Sequence, residues 1–301
     1  MAEKKFKLDR LLIGCVVALV AVIAWEIIEL NESPSRAPLP NPNGYDDFVK
    51  AANLLAGEPS GYQSMSLLRL QTLISANGDV LTRVRQGLSR KCRVPENYSI
   101  SNFDAHLTEL SGLKRVAQLL AAEGQLAENE HRTNDAIRAY LDTIRFGTEC
   151  CRGGLMIDKL VGIAIEAIGT APLEKLIERL DVKSCRGILQ ELQQIDRATE
   201  PVADVMRNER AWASRNYGLA FRLLFTVRFA VVNPAKSSER KFVQKHDQFE
   251  SRLRRLMIDL AAHAYELEHG QHPKNLNQLV PAYLSSIPID PTTGTNLTYV
   301  P

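Results

Sequence analysis

The sequence predicts a mostly α-helical protein with an N-terminal transmembrane helix, a body of helical hairpins, and a small C-terminal cap of turns and a strand. Three observations predict it. Apolar residues recur at three- and four-residue spacing almost without a break from Tyr45 to His269. A charge-free run, Leu11 to Trp25, follows a basic flank. Prolines gather in residues 31–44 and again in residues 273–301, and convincing period-two alternation appears nowhere before the tail.

Residues 1–10 carry Lys4, Lys5, Lys7 and Arg10. Residues 11–30 follow as the membrane segment: Leu11 to Ile28 is 18 residues with one charge, Glu26, just long enough to span a bilayer core. The basic flank keeps the N-terminus cytoplasmic, and Trp25 sits where an interfacial aromatic belongs. The expectation is a signal anchor in a bacterial inner membrane, single-pass, with the body extracytoplasmic. A cleaved signal peptide stays open, because Val22, Ile23 and Ala24 fit a small-residue cleavage site. Leu12 to Cys15 has the look of a lipid-attachment box, but most of the apolar run follows the cysteine instead of preceding it. Residues 31–44, NESPSRAPLPNPNG, hold four prolines and read as an extended linker.

Residues 45–260 form the predicted helical domain. Phe48, Ala51, Ala52 and Leu55 mark a first helix, stopped by Gly57 and Pro59. Residues 64–90 are helical with a break near Asn77 and Gly78. Helices are then expected over 103–127, 132–151, 156–180, 182–195, 202–232 and 237–269. The one over 156–180 is rich in apolar and small residues, which suits a central buried position. Gly124, Ala136 and Tyr140 stand at the offsets of the small and aromatic positions of a tetratricopeptide repeat. The match covers a single hairpin, with no second copy. Residues 218–234 are apolar-biased but hold Arg222 and Arg228, each costing about 2.5–3.5 kcal/mol at mid-bilayer, so they read as a buried helix or one lying on a membrane surface.

Several classes of chemistry lose their usual signatures. There is no phosphate-binding glycine loop, no dinucleotide fingerprint, no H-E-x-x-H and no G-x-S-x-G. A net charge of +2 with no basic arm argues against a nucleic-acid partner. The five cysteines, Cys15, Cys92, Cys150, Cys151 and Cys185, lack C-x-x-C spacing and read as small buried residues, with a Cys92–Cys185 bridge left open. His263, His269 and His272, with Glu266 and Glu268, are zinc-ligand types. Their six-residue offset and Gly270 scatter them over a helix end, so no metal or cofactor is expected. Asp46 and Asp47 read as first-turn acids favoured by the helix dipole, and Arg252, Arg254 and Arg255 as a solvated helix face. No catalytic residue is singled out.

The tail, residues 261–301, is the most patterned stretch. Gly270 stops the long helix, Pro273 blocks its continuation, Asn275 caps a short helix through Leu279, and Asp290 to Gly294 is turn chemistry. Leu297 to Tyr299 reads as a final strand, and the whole is expected to fold back onto the last long helix. The order Tyr265, His269-Gly270, Pro273, Leu276, Leu279-Val280-Pro281, Tyr283-Leu284, Ile287-Pro288, Asp290-Pro291, Gly294, Leu297, Tyr299 resembles the C-terminal part of type II secretion pseudopilins. It also resembles a tail found on bacterial single-pass membrane proteins with helical bodies. The resemblance implies a helix-plus-small-sheet ending, which in some pseudopilins binds calcium; here the tail reads as a stabilising cap, with a partner-binding tail and an ion site near Asp290 as alternatives. The pilin-type processing site has no counterpart, since Leu11 follows Arg10 directly.

Anchor, linker, helical body and missing catalytic motifs together predict a non-enzymatic interaction or scaffold component of the bacterial envelope, acting on a protein partner. The tail resemblance implies an accessory component of a secretion or pilus-like system as an alternative. An envelope enzyme with an active site of unfamiliar form is the third reading.

Overall fold

The computed structural model describes residues 21, 38–95, 99–213, 215–216 and 234–299. The predicted anchor, apart from Ala21, and the stretch 218–233 lie outside the described residues, as does Cys15. Among the described residues no helix is long and apolar enough to cross a membrane.

The described chain is mostly α-helical. Its helices are α1 (Gly44–Leu54), α2 (Leu67–Ala76), α3 (Gly78–Leu88), α4 (Phe103–Asn129), α5 (Thr133–Cys150), α6 (Met156–Leu176), α7 (Val182–Ala198), α8 (202–213) and α9 (Pro234–His269). Their starts follow local chemistry. Asn43, Ser66 and Asp181 accept backbone N–H groups at the heads of α1, α2 and α7. The break between α2 and α3 falls at Asn77, as the sequence predicts. Its buried amide both donates to and accepts from Ala56 across the chain, so it serves two backbones at once.

Helix α5 lies between α4 and α6, α7 packs against α9, and α1 with α3 covers the other side of α4 and α5. One continuous core unites them, centred on Leu113, Leu120, Tyr140, Ile144, Phe146 and Ile165. Phe48 of α1 meets Phe146 of α5 edge to face at 4.9 Å, a pair worth about 0.5–1.5 kcal/mol beyond its buried area. A smaller cluster joins Val205 and Met206 of α8 to Phe242 of α9.

Two small residues set the closeness of the layers. A Cβ at Gly124 would come within 2.3 Å of the Tyr140 ring, so α4 and α5 meet through the small and aromatic positions singled out in the sequence. A Cβ at Gly162 would come within 2.7 Å of the Gly147 carbonyl, which brings α6 against the backbone of α5.

The tail folds back on α9 and α7, with Leu276, Leu279, Leu284 and Leu297 buried. The predicted strand is corrected. No strand occurs among the described residues, and a single antiparallel bridge pairs Ile289 with Asn296. The turn closes through Gly294 N–H to Asp290 O and Asp290 N–H to Thr295 O, at 2.8 and 2.7 Å. Leu297 N–H bonds Pro288 O at 3.0 Å, but Pro288 lacks the N–H that the reciprocal bond of a longer ladder needs. Leu297 is instead committed to the core.

Candidate functional site

Three adjoining clefts of about 430, 470 and 370 Å³ form a groove lined by charged and amide side chains. The first and second share Arg145 and Glu149 of α5, and the second and third share Gln190 and Gln194 of α7.

Local structure explains the cationic end. Residues 91–95 run without helix, and alternate side chains point to opposite sides. Cys92 and Val94 turn inward and are buried, while Lys91 and Arg93 line the first cleft. Asn43 fixes this segment, donating to Arg93 O at 2.8 Å and accepting from Arg93 N–H at 3.0 Å. Arg90, Arg145 and Arg152 complete five cations facing only Glu149 and Glu200. Arg90 is spent on Asp47, and Arg152 forks onto Glu149 at 2.6 and 2.9 Å. Among the described residues no ion pair engages Lys91, Arg93 or Arg145.

The far end belongs to α7. Arg186, Gln190, Gln193, Gln194 and Arg197 recur at helical spacing and share one face, about 16 Å from first to last. Here the protein grips its own tail. Gln193 donates to Tyr283 O at 3.4 Å and accepts from Ser285 N–H at 3.2 Å. Arg197 reaches Ser285 Oγ, and Arg186 lies 4.7 Å above the Tyr283 ring while forking onto Glu268. Gln190 and Gln194 are exposed and make no hydrogen bond among the described residues.

A second polar assembly is buried. His106 of α4 places Nε2 2.8 Å from Asp158 Oδ1 and Nδ1 3.7 Å from Glu109 Oε1. Asp158 caps α6 by accepting Leu155 N–H at 2.7 Å, and the Tyr45 hydroxyl donates to Glu109 at 2.5 Å. Burial opposes a charge on His106, but the two carboxylates overcome it and push its pKa up to about 9, so the imidazolium bridges two acids. Burial alone would raise Glu109. Hydrogen bonds from His106 and Tyr45 and the His106 charge outweigh it and hold the carboxyl below the usual range. Glu109 is 31% exposed and lines a separate cleft of about 620 Å³.

A third lies between α5 and α6. Lys159 Nζ is 4.0 Å from Glu166 Oε1, both side chains being almost fully buried, and Thr148 donates to the same oxygen at 2.9 Å. Nearby His246 is buried with neither ring nitrogen hydrogen-bonded. Burial, then the charges of Lys159 and Arg254, lower its pKa to about 4.

The sequence-predicted candidates are not brought together. His263 faces Leu180 O, His269 stacks on Tyr265 with ring centres 4.0 Å apart, and His272 sits 3.3 Å from Glu266. No group of three or more His, Cys, Asp or Glu suited to a metal occurs among the described residues. Asp290 is engaged by Ser251 Oγ at 2.8 Å and Thr292 N–H at 2.9 Å. Asp47 stands in the first turn of α1, as expected, and is also buried and bound by Arg83 and Arg90. Arg252 and Arg255 are exposed, in keeping with a solvated face, though Arg252 forks onto Glu174 of α6; the reading is corrected at half-buried Arg254, which ties α9 to Asp196 of α7 and to Ile289 O of the tail. Cys92, Cys150, Cys151 and Cys185 are buried free thiols. The α7 stripe and the Lys91/Arg93 pair are features that a search for catalytic spacings passes over, though helical and period-two spacing mark both.

No known protein family, curated protein or solved structure matches the chain. The groove and the buried clusters are therefore read from their own chemistry.

Proposed function

We propose that this chain is an interaction protein of the bacterial envelope, whose groove across α5 and α7 is its partner-binding face. In this reading residues 11–30 anchor it in the inner membrane by a single pass, residues 1–10 are cytoplasmic, and the body and tail are extracytoplasmic. The observation that carries it is the continuity of the three clefts, which presents unpaired cations and amides along one face. The test is a crosslinked, detergent-solubilised pull-down of C-terminally tagged full chain from its native membrane, wild type beside Arg93→Glu/Arg145→Glu. A partner recovered with wild type and lost with the variant supports the reading. A clean monomer overturns it, and a C-terminal reporter active only in the cytoplasm overturns the topology. Recovery of secretion or pilus components would favour the accessory role that the tail resemblance implies.

One observation favours an enzyme instead. Glu109 opens on a cleft with His106 and Asp158 aligned behind it, an arrangement suited to moving a proton at the Glu109 carboxylate. Glu109→Gln should then abolish an activity while leaving partner capture intact.

A further inference from the structure

We propose that the groove binds an extended, acidic segment of a partner protein, its backbone held by Gln190 and Gln194 and its carboxylates by Arg145, Arg93 and Lys91. This rests on the interaction reading above and names the partner's chemistry. The chain's own tail supplies the pattern. Gln193 presents its carboxamide to the backbone where the tail leaves the turn at Tyr283, giving one N–H to Tyr283 O and taking one from Ser285. A carboxamide offers a donor and an acceptor side by side, the pair an extended peptide exposes along its edge.

Gln190 and Gln194 carry the same group on the same helix face, beside the occupied clasp, with no hydrogen bond among the described residues. They are one turn apart, about 6 Å along the axis. An extended chain repeats its edge every two residues, about 6.6 Å. The two spacings match closely enough for consecutive clasps on one strand. From Gln194 the groove leads past Glu191 and Glu149, the latter held by Arg152, through Arg145 to Arg93 and Lys91, three cations that form no ion pair among the described residues. A segment following this track meets amides first and positive charge next, which selects acids at one end.

The test uses the full chain in neutral detergent, panned against a displayed library of random twelve-residue peptides. Selected peptides are then synthesised and their Kd measured at low and high salt. Acidic sequences should be enriched, and Arg93→Glu/Arg145→Glu should weaken their binding by about tenfold or more while flattening the salt dependence. Gln190→Ala/Gln194→Ala should weaken binding and leave the salt dependence as it was. Arg69→Glu and Arg69→Glu/Arg138→Glu, the second an equal charge change at exposed positions outside the groove, should do nothing. Enrichment without acidic bias, equal binding by the groove variants, or equal loss in Arg69→Glu/Arg138→Glu would overturn the proposal. If the pull-down still loses its partner with the groove variant, the interaction reading survives that failure. If neither assay responds to the groove, both fall.

Discussion

His106 Nε2 lies 2.8 Å from Asp158 Oδ1, at the point where α4 meets the first turn of α6. The pair is buried, and Glu109 and Tyr45 extend it to α1. The folded pKa of about 9 stands above the ordinary value near 6.5, so between those values the native state holds a proton that the unfolded chain has released. Stability from His106 is complete below pH ~6.5 and is lost as pH rises through ~9. Urea titrations across that window should show it. His106→Gln should flatten the alkaline limb and cost about 3–5 kcal/mol, since it leaves buried carboxylates without their cation.

His246 has the opposite sign. Its folded pKa of about 4 lies below the ordinary one, so the unfolded chain takes the proton first as pH falls from ~6.5 to ~4. Its contribution is present above that window and lost on acidification. His246→Leu should gain about 1 kcal/mol at neutral pH by removing two buried nitrogens that make no hydrogen bond, each 3.5 Å from a carboxylate of Asp247 or Glu250, and more at pH 5. The difference between variant and wild type is the quantity to follow, because burial raises neighbouring Glu250 and pushes the other way.

Two glycine replacements should move stability in opposite directions. Gly124→Ala drives a methyl into the Tyr140 ring, whose hydroxyl is tied to Glu128, and should cost about 1–3 kcal/mol. Gly187→Ala, on α7, meets nothing within 4 Å and should stabilise by about 0.5–1 kcal/mol. Thermal melts of the two variants check both.

The buried thiols give a chemical readout. Burial pushes Cys92 and Cys151 up to about 12 and Cys185 to about 11, so little thiolate forms at neutral pH. Cys92, Cys150, Cys151 and Cys185 should resist maleimide in the folded chain and all react in denaturant without prior reduction. Labelling that requires a reductant would show a disulfide instead.

Periodicity carried the architecture well. The helix boundaries of α4 to α7 follow apolar spacing, and the Asn77 break follows turn chemistry, because both are local properties of the chain. The tail was legible as a cap for the same reason, through Gly270, Pro273 and Asn275. Its strand was misread because Leu297 has strand-like neighbours, while its burial is decided by what it packs against. The polar features were the least legible. Asp47 and Arg90 are 43 residues apart, and His106 and Asp158 are 52 apart, so only the fold reveals that they meet. The groove could have been suspected from the α7 stripe, but its cationic end needs Lys91 and Arg93 to be brought beside Arg145.

The clasp of Asn43 on the Arg93 backbone has a mechanical consequence. A pull on the chain ahead of Pro38 should meet Asn43 before α1, where two hydrogen bonds to the backbone of one residue, Arg93, hold the segment. Arg93 also lines the cleft beside Pro38 and Pro40. A group filling that cleft would therefore rest on both sides of the joint by which residues 38–43 enter the helical body.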